Sequence, residues 1–257
     1  MNDIILPNLG IVPPFQPGTI KPEEDYKQFE ALGAKLGLPC PQVHITLRST
    51  DADGNVVAEF SDRSRTFNRN YWNMLFKIMG GMVGSATTSL ADSLLPGTPT
   101  SSTTWGAGHL TQKSTTAVVR NSNASFPPPT ASPAVGNVLS GIVVGTGSSA
   151  EDFEGHALTT PVAQGTGAGQ LSYAAMTLST PSYNAGTKVW TSAHARIINN
   201  NSGGTITVTE TAMYAHNINV ASGVAYMIMR DLLGASVAVL NAGQLTVTYT
   251  FTLTFPA

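Results

Sequence analysis

The sequence predicts a mainly β chain: an antiparallel β-sandwich or jelly-roll-like domain with an extended N-terminal arm and one or two helices. Three observations predict it. From Leu245 to Phe255 every odd position is apolar and every even position is Thr, the period of two that marks a strand with one buried face. From Val138 onward, short β-branched runs are separated by turn signals, and no helical period intervenes. Residues 1–42 hold seven prolines, which keep that stretch extended around one short helix.

The helix lies in "KPEEDYKQFEALGAKLG". Pro22 suits its first position, Glu23, Glu24 and Asp25 complement the positive end of its dipole, and Gly37 suits the position past its C-terminus. Tyr26, Phe29, Leu32 and Leu36 make an apolar stripe along it. This arm, residues 1–42, is expected either to lie on another subunit or to wrap its own domain.

Residues 43–257 form the β-rich domain. "VHITLRSTDADGNVVAEF" reads as a hairpin turning at Asp53-Gly54. Its "DADGN" has the glycine at the fourth position rather than the sixth and Asp62 where a calcium loop needs glutamate, so a plain turn is expected. "SDRSRTFNRNYWNMLFKIMGG" predicts a buried helix capped by Ser64. Phe67, Tyr71, Leu75 and Ile78 line one face of it; Trp72, Phe76 and Met79 line a second. The hairpin and this helix occupy 43–79.

A Gly/Ser/Thr/Pro-rich insertion follows over 80–136, with "SFPPPTASP" reading as polyproline II. The sandwich core spans 137–257. Its strands fall in "VLSGIVVGTG", "LSYAAMTLSTPSY", "KVWTSAHARIINNNSGGTITVTETAMYAH", "VAYMIMRDLL" and "VAVLNAGQLTVTYTFTLTF". The third of these reads as two strands reversing at an Asn/Gly turn, with Gly203-Gly204 supplying positive φ. Arg230-Asp231, a charge pair in an apolar stretch, is expected to close a loop onto the sheet.

Charge is unevenly distributed. Of the 13 basic and 15 acidic residues, 8 and 9 lie in residues 1–77, leaving 5 and 6 for the other 180. A free surface usually carries about a quarter charged residues, whereas the cores of protein interfaces are depleted in Lys, Glu and Asp. The β domain therefore reads as surface that lies against a partner. With a net charge of −2, nucleic acid is not expected as a partner. No apolar run approaches the length of a membrane helix, and "MNDIILPNLGIVPP" lacks a basic n-region, so neither a membrane span nor a signal peptide is expected. Cys40, between two prolines, is expected to be a packed, inert thiol.

Chemistry finds little footing. Gly145, Gly147 and Ala150 fit the GxGxxA dinucleotide fingerprint after a strand. Glycines and Pro161 follow where the phosphate-binding helix should start, so no cofactor is expected. His44, His109, His156, His194 and His216 show no metal spacing, and no metal is expected. Glu151, Asp152 and Glu154 have the residue type of a glycosidase pair but read better as turn caps. No catalytic residue is assigned.

"IVVGTGSSAEDFEGHALTTPVAQG", "ARIINNNSGGTITVTETAMYA" and "MIMRDLL…VAVLNAGQLTVTYTFTLTF", together with the upstream "GNVVAEFSDRSRTFNRNYWNMLF", resemble a recurring pattern in virion structural proteins of tailed bacteriophages. The resemblance covers roughly residues 43–79 and 138–257. It implies a non-enzymatic component of the virion, present in many copies in the tail, neck or outer particle. Its partners would be copies of itself and other virion proteins. Two alternatives stand beside it. One is a capsid decoration protein. The other is a receptor- or carbohydrate-binding adhesin module of a fibre, with Trp105, Tyr183 and Trp190 as stacking candidates for a host surface glycan. The residues expected at subunit contacts are Thr246, Thr248, Thr250, Thr252 and Thr254, the uncharged face of the last strand, with Tyr26 and Phe29 of the arm. A strand of this length, about 35 Å, with no charge on it should associate if its edge were free.

Overall fold

The computed structural model describes residues 23–64, 67–68, 70–72, 133–217 and 224–255. The arm before residue 23, residues 73–79 of the expected helix and the segment 80–132 lie outside the described residues. The start of that helix is corrected: Phe67 bridges Met229 and Asn68 bonds Ile228 beside the smaller sheet, and Ser64 bonds Asp231 instead of capping. Among the described residues of this stretch, helical backbone is found only at 70–72.

The short helix is α1 (Glu23–Leu36), and Gly37 adopts φ +70 just past it, the left-handed stop that the sequence predicts. The expected hairpin is β1 (Cys40–Thr50) and β2 (Val56–Arg63). Asp51 makes its turn: Oδ1 accepts from the Asp53 and Asn55 amides (3.0 and 2.8 Å), Oδ2 accepts from the Asn55 side chain, and Gly54 takes φ +86. These bonds, the Asn55 side chain first among them, hold the Asp51 carboxyl below its ordinary pKa. β1 begins at Cys40, inside what the sequence assigns to the arm.

The remaining strands are β3 (Gly141–Gly145), β4 (Ser172–Leu178), β5 (Ser182–Asn184), β6 (Val189–Asn199), β7 (Ile206–Asn217), β8 (Val224–Val239) and β9 (Gln244–Thr254). They form two antiparallel sheets, as the sequence predicts. One has the order β2-β1-β9-β6-β4, with β5 also on β6; the other is β3-β7-β8. Leu47, Val247, Leu245 and Ile198 of the first sheet pack with Val144, Val208, Met229 and Val239 of the second in a single core.

Three sequence expectations change. β9 is the middle strand of its sheet, paired along its length with β1 and β6, so its edges are not available for association. Its apolar face is fully buried at Leu245, Val247 and Tyr249, but burial fades toward Phe255, which is 39 % exposed. The "INNNSGGT" stretch does not reverse the chain within one sheet: β6 and β7 belong to different sheets, and the stretch crosses between them. Of the two glycines there, Gly203 has positive φ (+86) and Gly204 does not.

Asn200 explains the crossover. Its side chain donates to the carbonyls of Gly204 and Val239 (2.8 and 2.7 Å) and accepts from the Ser202 amide and hydroxyl. Its backbone bonds Gly243 and Ala242, in the turn where β8 passes to β9 and so also changes sheet. One buried amide thus ties together both passages between the layers. The hydrogen bonds it satisfies compete with a hairpin ladder.

The boundary of the insertion also shifts. Residues 133–136 belong to the sandwich, because the Pro133 carbonyl accepts from Met176 and the Gly136 amide donates to Tyr173 along the outer edge of β4.

Candidate functional site

The threonine face is the outer surface of the six-stranded sheet. Thr246, Thr248, Thr250 and Thr252 are half-buried by their neighbours, and Thr254 is exposed. The register sets Gln42, His44, Thr46 and Arg48 of β1 on one side of them and Thr191, Ala193, Ala195 and Ile197 of β6 on the other. β6 and β9 therefore present a neutral Thr/Ala/Ile surface, and charge returns only at Arg48, Glu59 and Arg63 toward β2. Among the described residues none of the five threonine hydroxyls has a hydrogen-bond partner, and no sheet lies over them.

α1 rests on one corner of this face. Tyr26 lies under the Arg63 guanidinium, 5.1 Å from ring centroid to carbon, and Glu30 pairs with the same Arg63. Gly33 meets Cys40, whose thiol any Cβ at that position would strike. Cys40 is buried there, packed as the sequence predicts, and burial raises the pKa of its thiol. Tyr26 is thus half-buried against its own chain, whereas Phe29 (59 % exposed), Leu32 and Leu36 face away from the sheet.

The glycines of the fingerprint-like loop have another explanation. Glu210 of β7 is fully buried, and its carboxylate accepts from the amides of Gly147, Thr159 and Thr160. A Cβ on Gly145 or Gly147 would intrude on that carboxylate. Arg230 pairs with Glu210 at 2.8 Å and donates to the carbonyls of Ser149 and Ala150 and to the Thr159 hydroxyl. Arg230 does close a loop onto the sheet, but with Glu210 as its partner. Asp231 points to the opposite side, between the sheets, where it accepts from Ser64 and Tyr249. Alternation along β8 separates the two neighbours. Of the loop acids, Asp152 caps its turn as expected, accepting from the Glu154 amide, whereas Glu151 reaches across to accept from the Leu232 amide of β8.

Arg196 is the most unusual buried side chain. It is 0 % exposed and among the described residues faces no carboxylate; its N–H groups reach the carbonyls of Ala174, Ser140, Ile142, Ala134 and Asn137 at 2.6–3.5 Å. The guanidinium also stacks on Tyr173. Burial lowers its pKa to about 10, which leaves it cationic at neutral pH. Neither Arg196 nor Glu210 is singled out by the sequence motifs. The available signal was that each is a lone charge within a strand of the charge-poor half.

His194 lies on the same inner face, with its Nδ1 unpaired and Phe251 edge-on at 5.0 Å. Burial pushes its pKa down to about 4. A depressed histidine favours the fold only while neutral, so stability should fall as pH drops from about 6.5 to 4, by roughly 3 kcal/mol in all. Urea midpoints across that range test this. His194→Leu should flatten the profile, and an unchanged slope in that variant would refute the assignment.

Of the other candidates, His44 bonds the Ser61 hydroxyl on the outer face and His156 sits half-buried. His109 and Trp105 lie outside the described residues. Tyr183 and Trp190 are cross-strand partners, and Phe255 meets Tyr183 edge-on at 5.9 Å. Among the described residues no three metal-binding side chains cluster, and no helix is long and apolar enough to cross a membrane. Compared with family models, curated proteins and solved structures, the chain matches none.

Proposed function

We propose that this chain is a non-enzymatic structural protein of a tailed-bacteriophage virion, assembled in many copies in the tail, neck or outer particle. The observation that carries the reading is the outer face of the six-stranded sheet. It is broad, uncharged over β6 and β9, and made of Thr, Ala and Ile, whose burial against a neighbour removes no charge from water. The threonine hydroxyls, unbonded among the described residues, suit both water before assembly and a partner after it. The buried charges support the same reading: Glu210 and Arg230 hold backbone and each other, Arg196 holds carbonyls, and Asp231 bonds Ser64 and Tyr249 between the sheets, which is the work of a scaffold.

Thr250→Lys tests it. The position is half-exposed in a central strand, so the variant should melt within a few degrees of the parent. It should assemble far less than the parent, because a lone ammonium would be desolvated at the contact. Phe251→Lys, on the inner side, should unfold instead. Normal assembly by a normally folded Thr250→Lys protein would sink the interface reading.

The aromatic corner of Tyr183, Trp190 and Phe255 favours the second reading, an adhesin module. Its Tyr183 and Phe255 rings meet edge to face, whereas a sugar stacks flat on a ring, so the corner gives that reading less support than the neutral face gives the first. Tyr183→Ala in a glycan-binding assay separates the two.

A further inference from the structure

We infer that two copies of this chain join through β2, antiparallel and across a two-fold axis at Phe60, so that the six-stranded sheet continues from one copy into the next. The inference rests on the many-copy reading above and names one contact within it.

Three of the four long sheet edges are covered over part of their length by the chain itself. Thr160 and Val162 bond along β3, Asn68 bonds Ile228 on β8, and residues 133–136 bond β4. Among the described residues nothing seals β2. The bond from the Ser64 amide to the Val43 carbonyl fixes the phase of the ladder: Ser64, Asp62, Phe60 and Ala58 turn their backbone groups toward β1. Glu59, Ser61 and Arg63 therefore turn theirs outward. The Arg63 amide is already taken by the Asp62 carboxylate at 2.7 Å. The amides and carbonyls of Glu59 and Ser61 remain.

Those four groups fit one self-pairing. If Glu59 opposes Ser61 of the second copy, symmetry makes Ser61 oppose the second Glu59, and all four groups bond reciprocally. Phe60 then faces its own copy in the closer, non-bonded type of pair, on the side where it already packs against the core. Each Glu59 then lies diagonal to both Arg63 and Glu59 of the other copy, on the same face, with Arg63 already paired to its own Glu30. A shift of the axis to residue 59 would set two glutamates opposite one another. A shift to residue 61 would call on the Arg63 amide that Asp62 occupies. Like charge thus disfavours the register centred on residue 59, and the occupied Arg63 amide disfavours the one centred on residue 61.

The test uses the full chain at high concentration, because an interface of this size is weak alone. Ser61→Pro removes one outward amide and leaves the ladder to β1 intact. It should keep the parent's melting temperature and sediment as a smaller species than the parent at the same concentration. Under mild oxidation Phe60→Cys should form a covalent dimer, while Ser61→Cys and the parent, with only buried Cys40, should not. A Ser61→Pro protein that associates as the parent does would overturn the β2 pairing and leave the threonine-face reading standing. A folded Phe60→Cys protein that never cross-links would overturn it too. A parent that stays monomeric at every concentration would overturn both.

Discussion

Arg196→Met should destabilise the protein by about 4 kcal/mol or more, read as a large fall in urea midpoint. Methionine fills much of the same volume, so packing is largely kept. What goes is the donor set: the Ser140 and Ile142 carbonyls lose this partner in the buried interior, and those of Asn137, Ala174 and Ala134 lose it at partly buried positions. Each buried orphan costs about 1–3 kcal/mol, and the terms do not add fully because the loop can relax. Against a total of about 5–15 kcal/mol for a domain, this threatens the fold. Arg196→Lys should rescue little, since an ammonium has three donors and cannot span all of these carbonyls. A midpoint near the parent's in either variant would show that the loop before β3 does not depend on this side chain.

Glu210→Gln should be nearly as damaging, by about 3–5 kcal/mol, because it leaves the buried Arg230 without its counter-charge. Here the damage should be local first. Residues 146–160 are held to the sheet by these two side chains, so limited proteolysis should cut that loop before the rest unfolds. Pairing the change with Arg230→Met should restore part of the stability, since no charge is then left unpaired. If the double variant is as unstable as the sum of the singles, the ion pair is not what holds the loop.

Much of the fold was legible because alternation reports strands directly. α1 and its glycine stop, the β1–β2 turn and the inner face of β9 at Leu245, Val247 and Tyr249 all follow from local pattern. The sign of a face does not. In "TSAHARII" the inward side carries His194 and Arg196, and the outward side carries Ala193, Ala195 and Ile197. The polarity is inverted because a buried arginine can be satisfied by carbonyls that come from distant segments. The crossover at Asn200 was hidden for a similar reason. "NNNSGG" has the composition of a hairpin turn, and only the partner at Val239 reveals that the chain is changing sheets. Pairing order was also beyond reach, since nothing local says that β9 belongs between β1 and β6. Of the contact residues named from sequence, the threonines do share one open face and Phe29 is exposed, while Tyr26 is engaged with Arg63.

The position of β9 has a consequence for how the molecule is made. The β1–β2 hairpin and β6 have no ladder to each other; each reaches the other only through β9, which the ribosome delivers after all of them. Cys40 waits for Thr254, and Val189 waits for the same residue. Until β9 is in place the larger sheet therefore has two unjoined halves, with the edges of β1 and β6 that β9 pairs left open. Pairings this distant in sequence are slow to form, and the nascent chain carries open edges until the last insertion closes them. Ordering of the threonine surface is thus coupled to the joining of the two halves: without β9 in place, the outer faces of β1 and β6 are not one continuous surface.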